Sequence, residues 1–449
     1  MTKTLLISSF HSHISRNILA TKAFSLLAAR RDLQIVVVVP IYKKQYFEDT
    51  FGGDGRVIIE GVKQYQASRT RRGLFFKRLG MLLFDTGTTR AKKRYKYYWD
   101  RKLLYFLVAM CLGWVGRSLI VRRAVRFLDL KFSSPDLFGA LMDAYHPDAV
   151  FSTDIQDEND VALMQDARRR HIPVIGMLRS WDNTTQRILR VLPDRLLVGS
   201  EALREEVVRF YRYPEVQMAL VGHPHYDRYV HGPLSSRDVF FRQRGFDTKK
   251  TLILYAAGGD KIIRKNDIDQ YVMEILGALP VNVLVRYPPG EDIRLVNYVC
   301  PPNTVIEKPG VRFSARHGEF EIQKSDDDTL IDELCWSDIV ISGPTTILLD
   351  GVLVDKPVIA VDCYPSPRPL YARSWGYFLD HMRKLINTGG VRYVASREEF
   401  LAAIASYLRD PSQDQEGRAR SRALWFSHAD GASGERLARE ICMSLDLDR

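Results

Sequence analysis

Strand-like and helix-like segments alternate along this chain, and the alternation starts afresh near residue 250. Gln34 to Pro40 (Gln-Ile-Val-Val-Val-Val-Pro) is an unbroken β-branched run. Such a run suits a central strand of a parallel sheet covered on both faces. Further strands are expected in the first half over Thr4–Ser9, Ala149–Thr153, Pro173–Leu178, Arg195–Gly199 and Val216–Val221. The second half offers Thr251–Ala256, Val281–Arg286, Thr304–Glu307, Ile339–Ser342 and Pro357–Val361. Helical periodicity separates most of them, as over Asn17–Arg30, Glu201–Tyr211 and Asp267–Leu279. Two α/β repeats of this kind predict two doubly wound, Rossmann-like domains facing across a cleft. A chain of 449 residues has room for both. The charged stretch Asp227 to Lys250 is the expected linker, giving a first domain over 1–235 and a second over 248–425. Residues 426–449 form a last helix expected to return toward the first domain.

Several classes are excluded by composition. Cys111, Cys300, Cys335, Cys363 and Cys442 are scattered, with no Cys-x-x-Cys pair, so neither a disulfide framework nor a zinc motif is expected. Leu5-Leu6-Ile7 is too short for a signal peptide and is broken by Phe10-His11-Ser12-His13. With no apolar run of 18 residues, no transmembrane helix is expected either. These features predict a cytoplasmic protein.

The basic charge is local. Arg69 to Lys131 holds 17 Lys and Arg against Asp85, Asp100 and Asp129, whereas the whole chain is only +11. Inside this insertion, Leu103 to Trp114 is apolar but short, with Arg101-Lys102 before it and Arg117 and Arg122-Arg123 after. No nucleic-acid signature accompanies it, so no nucleic acid is expected as partner. It is either a solvated face around a core helix or a segment that docks on an anionic membrane surface. Trp99 and Trp114 at its flanks suit the second, a peripheral position on the inner face of the cell membrane.

In doubly wound sheets ligands sit beyond the carboxyl ends of the strands. Ser342-Gly343-Pro344-Thr345-Thr346 follows such a strand and opens a helix, where free N–H groups and two hydroxyls suit a diphosphate. An ordinary capped helix has the same pattern. Gly258-Gly259 after the first strand of the second half allows close backbone approach, and Arg286 at a strand end offers a forked phosphate donor. In the first half, His11, His13, Asp154 and Asp182 lie in strand-end loops and are candidates for the general base that a transferase needs. Asp182 with Asn183 serves equally well as a helix cap. His223, in Gly222-His223-Pro224-His225, either touches the donor or orders the hinge.

Ser337-Asp338-Ile339 through Asp350, Asp355-Lys356-Pro357-Val358 and Asp430-Gly431-Ala432-Ser433-Gly434-Glu435-Arg436 resemble the CDP-glycerol glycerophosphotransferase-like and capsule or lipopolysaccharide transferases of GT-B architecture. Ser180-Trp181-Asp182-Asn183-Thr184-Thr185 and Pro193-Asp194-Arg195 look like stretches of the same bacterial surface-glycan proteins. A more distant similarity is to UDP-N-acetylglucosamine 2-epimerases. The resemblance implies a GT-B fold, with Ser342 to Thr346 on the donor diphosphate, Arg286 on phosphate and Asp350 facing the site. One departure stands out: the glycerophosphotransferases have a Ser-Ser pair where this chain has Ser342-Gly343-Pro344-Thr345-Thr346.

The expected activity is therefore metal-independent, cofactor-free transfer of a sugar from a nucleotide-sugar donor to a lipid-linked or glycan acceptor in cell-surface polysaccharide assembly. The alternatives are a CDP-alditol phosphotransferase and a non-catalytic nucleotide-sugar-binding scaffold.

Overall fold

The structure is a computed structural model that describes residues 2–53, 55–64, 70–132, 136–260, 266–314 and 319–447. Arg69, the first residue of the basic insertion, lies outside them. The chain divides into one unit of residues 1–227 with 427–449, and a second of 228–426.

In the first unit seven parallel strands are ordered β3-β2-β1-β4-β5-β6-β7. They are β1 (Lys3–Ser8), β2 (Leu33–Pro40), β3 (Val57–Val62), β4 (Ala149–Ser152), β5 (Val174–Met177), β6 (Arg195–Val198) and β7 (Met218–Leu220). Helices α1 (Lys22–Ala28) and α2 (Lys44–Phe51) connect the first three strands. The basic insertion then supplies α3 (Arg71–Leu82), α4 (Gly87–Asp100), α5 (Leu103–Val115) and α6 (Leu119–Phe132), followed by α7 (Gly139–Tyr145). Helices α8 (Glu158–Arg169) and α9 (Glu201–Tyr211) complete this part of the chain.

The β-branched run behaves as its composition demands. Ile35, Val37 and Val39 join a core on one face of the sheet with Leu5 and Ile7, while Val38 joins Leu6 and Val150 on the other. Alternate side chains of one strand thus feed two cores, the signature of a sheet buried on both sides. Capping sets the helix starts. Asp157 accepts from the Asn159 N–H at 2.8 Å ahead of α8, and Ser200 accepts from Leu203 N–H ahead of α9.

The second unit repeats the plan with six strands ordered β10-β9-β8-β13-β14-β15. These are β8 (Leu252–Ala256), β9 (Asn282–Arg286), β10 (Thr304–Glu307), β13 (Ile339–Ser342), β14 (Val358–Val361) and β15 (Arg392–Val394). A separate hairpin joins β11 (Val311–Arg312) to β12 (Phe320–Glu321). The helices are α10 (Arg237–Gln243), α11 (Ile268–Gly277), α12 (Lys324–Trp336), α13 (Ile347–Leu353), α14 (Asp380–Asn387), α15 (Arg397–Arg409) and α16 (Gln415–Trp425). The last helix, α17 (Ser433–Ser444), belongs to the first unit and packs on α1. Its first turn is held by Asp227, whose carboxylate accepts the Ser433 and Gly434 N–H groups at 3.0 and 2.7 Å.

The boundary expected at 235 moves to Asp227. Residues just after it are tied to α12: Ser235 Oγ donates to Asp332 at 2.6 Å, and Trp336 Nε1 donates to the Ser235 carbonyl at 3.0 Å. Among the described residues no single helix is long and apolar enough to cross a membrane.

Candidate functional site

Both sheets change direction at their centre. Strand order runs one way from β1 to β3 and the other from β4 to β7, so the first unit's topological switch lies between β1 and β4. In the second unit it lies between β8 and β13. The loops leaving those strands carry most of the residues singled out from the sequence, because a switch point splays neighbouring loops apart and opens a crevice.

In the second unit Ser342 ends β13 and is fully buried. Its hydroxyl donates to the Ala256 carbonyl at the end of β8 and meets Thr345 Oγ1, each at 2.7 Å. Gly343 faces open space where a side chain would stand. Thr346 is exposed, while Asp350 is buried in α13. The helix begins later than the sequence suggests, at Ile347 rather than Thr345, and spans seven residues. Thr345 N–H turns back to the Gly343 carbonyl at 2.8 Å, so it is not among the open donors.

Two expected donor-binding features have other partners. The N–H groups of Gly258 and Gly259 both donate to the buried Asp269 carboxylate at 2.9 Å, which fixes the loop after β8. Gly259 has φ +79, the left-handed conformation that suits glycine. Arg286 is the larger correction. Its Nη1 donates to both carboxylate oxygens of Glu333 at 2.9 and 2.8 Å, and Nη2 donates to the Asp326 carbonyl at 2.9 Å. Arg286 and Glu333 are both buried. A guanidinium used this way braces β9 against α12 rather than projecting to a diphosphate.

The first unit's crevice holds the expected bases together. Asp154, after β4, accepts from Arg179 Nε at 2.7 Å and from the Gln156 N–H at 3.2 Å. Arg179, after β5, also brings Nη1 within 3.1 Å of His11 Nε2. His11 Nδ1 accepts the His13 N–H at 3.2 Å, and the two rings lie 5.0 Å apart. Burial, reinforced by the Arg179 charge, pushes the His11 imidazole down to about 3. Burial holds His13 well below its usual value too, so both rings are neutral at pH 7. Asp182 accepts from Gln186 Nε2 at 3.1 Å and is partly exposed. It does not cap the following turn.

His223 lies in this same unit, at the end of β7, in a cavity lined also by Asn17, Thr153, Arg179 and His225. A Cβ at Gly199 would collide with its ring, so Gly199 makes room for it. Burial lowers His223 to about 4. His225 is buried, and its Nε2 has no hydrogen-bond partner. Beneath the crevice, Asp160 ties the two switch-point strands together by accepting from Ser8 and from Ser152 Oγ, the latter at 2.9 Å.

Sequence reasoning passed over Arg179, Asp160 and Asp269. Arg179 carries the same strand-end signal that drew attention to Arg286. Asp160 and Asp269 each place an acid in the first turn of a helix after a switch-point strand, a signal visible only once the strand order is known.

Two Rossmann-ordered parallel sheets in one chain, each with its own switch-point crevice, define the GT-B fold. Solved structures agree. A protein of Listeria monocytogenes assigned as a UDP-N-acetylglucosamine 2-epimerase superposes with a TM-score of 0.57 at 11% identity, covering 100% of this chain and 98% of that one. MnaA of S. aureus, solved with UDP, gives 0.54 at 13% identity over 100% and 98% of the two chains. The UDP-GlcNAc 2-epimerase of Neisseria meningitidis, bound to UDP-GlcNAc, gives 0.52 at 12% over 100% of both. At these identities the likeness is one of fold. No curated protein matches the chain in sequence. Residues 179–443, more than half of the chain, match the CDP-Glycerol:Poly(glycerophosphate) glycerophosphotransferase family, and the protein belongs to it. It is a transferase of GT-B fold.

Proposed function

We propose that this protein transfers a polyol phosphate from a CDP-linked donor to a hydroxyl of a cell-surface glycan or its lipid-linked precursor. The observation that carries the proposal is the extent of the family match. It begins at Arg179 in the first unit's crevice and runs through Ser342 to Thr346 in the second. In this reaction the acceptor oxygen forms a bond to the donor's β-phosphorus, the pyrophosphate P–O bond breaks, and CMP leaves with the electron pair. The acceptor's proton passes to a base.

The roles divide by unit. The open space at Gly343, with Thr346 exposed and Asp350 on the turn that follows, suits a nucleotide diphosphate. The first unit supplies Arg179 as the cation for phosphoryl charge, and His11 as the proton acceptor. An anionic group beside Arg179 raises the His11 basicity from its depressed value, so substrate itself primes the base. No metal is required in this scheme; activity that survives EDTA supports that part and loss of activity removes it.

A second reading is glycosyl transfer from a nucleotide sugar. Its support is the chain's own departure from the family, Ser342-Gly343-Pro344-Thr345-Thr346 in place of a Ser-Ser pair. The products separate the two. CDP-glycerol, CDP-ribitol and UDP-, GDP- and dTDP-sugars are each incubated with enzyme and bacterial membranes, and the released nucleotide is identified. CMP from a CDP-polyol, with phosphate carried into the acceptor, is the expected result. A nucleoside diphosphate from a sugar donor overturns the first reading in favour of the second. Donor binding with no turnover leaves the scaffold role.

A further inference from the structure

The cavity beside His223 has a mixed lining. Ile14, Ile18, Met177 and Pro224 give it apolar walls, while Asn17, Thr153, His223 and His225 supply polar groups. All of them belong to the first unit. Part of the wall is a π turn over Ser15–Leu19, where the Ala20 N–H donates to the Ser15 carbonyl at 2.7 Å, five residues back. Widened turns of this kind occur mostly at functional sites, and this one brings Asn17 and Ile18 to the cavity.

The polar groups are uncharged and only partly used. Arg16 Nε donates to Asn17 Oδ1 at 3.1 Å, which leaves the Asn17 amide N–H groups as donors. Thr153 Oγ1 gives its proton to the Ser8 carbonyl at 2.8 Å and remains an acceptor. Burial keeps both imidazoles neutral at pH 7, so each ring has one donor and one acceptor nitrogen. The His225 ring lies 3.8 Å from that of Tyr226, and its Nε2 is buried with no hydrogen-bond partner among the described residues. Such an unpaired atom is a standing cost that a bound hydroxyl removes. Among the described residues Arg179 is the one cation lining the cavity, and Asp154 already pairs with it at 2.7 Å.

We propose that this cavity seats a neutral polyhydroxylated group of the acceptor, a polyol or sugar unit, with His225 as the residue that selects it. A phosphate brings charge and only accepts hydrogen bonds, so it matches neither the neutral rings nor the acceptor atoms here. A hydroxyl both donates and accepts, and the carbon skeleton that carries it suits the walls of Ile14, Ile18 and Met177. Assignment to the acceptor rests on the transferase reading above, in which the first unit holds the proton acceptor and the second the nucleotide. Arg179 links the cavity to that base, lining the one and reaching His11 at 3.1 Å.

Nuclear magnetic resonance of the full chain, labelled in its histidine rings, tests the proposal. The His223 and His225 signals are assigned from His223→Gln and His225→Gln. Glycerol, ribitol and methyl glucoside should each shift both signals saturably, and inorganic phosphate should not compete with them. His225→Phe, read at the His223 signal, should bind the same probes roughly tenfold more weakly. His225→Gln should fall between, because its amide restores a hydrogen bond. Silence of both rings toward all three neutral probes overturns the inference. Competition by phosphate does so too, by making the cavity an anion site. CDP-glycerol that fills the cavity in place of free glycerol assigns it to the donor's polyol and overturns the acceptor role. No turnover enters these readouts. Responsive rings in a protein that transfers nothing would sink the transferase reading and leave the site standing, whereas silent rings in an active protein would sink the site alone.

Discussion

The two crevices share a topology and differ in what they leave open. Each sits at a switch point of the same strand order, and each is anchored by a buried carboxylate from the following helix, Asp160 in one and Asp269 in the other. In the second unit the anchoring consumes the obvious polar groups: Gly258 and Gly259 bind Asp269, Ser342 binds Ala256 and Thr345, and Arg286 binds Glu333. What remains is space at Gly343. In the first unit the anchor is just as buried, yet Arg179 and a set of neutral histidines converge above it, and His225 keeps an unsatisfied nitrogen. On the function proposed above, one crevice is a preset seat and the other holds the reactive groups. Position at a strand end thus locates a crevice, and the pairing of its polar groups decides what that crevice does.

The strongest test of this contrast is Arg286→Ala. Removing one partner of a buried ion pair strands the other, so a loss of about 3–5 kcal/mol in urea unfolding is expected. Arg286→Met with Glu333→Leu should recover most of it, since the pair is then replaced by apolar groups of similar size. A variant of unchanged stability that no longer binds nucleotide would instead make Arg286 a donor ligand and erase the distinction. Next in size is Arg179→Ala. Turnover should fall by roughly 100-fold or more, with Arg179→Lys intermediate because a point charge lacks the fork that spans Asp154 and His11. Thermal stability should fall too, but by less than in Arg286→Ala, because Arg179 keeps some solvent contact and Asp154 retains the Gln156 N–H. Full activity in Arg179→Ala would move the chemistry out of the first unit.

That Arg179 was overlooked and Arg286 preferred shows how far the sequence reaches. Periodicity located the central strands, and β13 and α9 match their expected limits, because a strand buried on both faces or a capped amphipathic helix is written in adjacent residues. Of the four edge strands, β7 and β10 were expected and β3 and β15 were not. β3 and β15 each have one neighbour, and β15 is only three residues long, so burial imposes little pattern on them. Helix α16 was unmarked because its buried residues include Gly417, Arg418 and Ser421, polar or small groups that signal nothing until Arg418 finds Asp355 at 2.9 Å. The site was legible as loops but not as partners. Whether a strand-end arginine is free depends on an acid 47 positions away, as Arg286 and Glu333 illustrate.

The histidines give a smaller effect with a definite sign. His223 and His11 sit at about 4 and about 3, below the ordinary value of 6.5. Their neutral forms are favoured in the fold, so their contribution is complete above pH 6.5 and is lost as pH falls toward 4. Wild type should lose roughly 1–2 kcal/mol more than His223→Gln between pH 7.5 and 5 in urea unfolding. Parallel curves would mean that His223 is solvated, and the cavity would lose its claim as a desolvated site.

The smallest expected effect bears on the anchor itself. Burial, with Asp157 and Asp154 nearby, holds the Asp160 carboxyl well above its ordinary value of 3.8. A raised carboxyl favours the neutral form in the fold, so ionising it costs stability as pH climbs above about 4. Asp160→Asn keeps an oxygen for Ser8 and Ser152 but puts an amide where Oδ2 has no partner. At pH 4 the variant should therefore be about 1 kcal/mol less stable than wild type. Toward pH 8 the gap should close or reverse, because only wild type carries the ionisation cost. A gap that widens with pH would show that Asp160 is ionised and held by a cation from the crevice above. The carboxylate would then belong to the reactive groups, and the shared anchor that makes the two crevices comparable would exist only in the second unit.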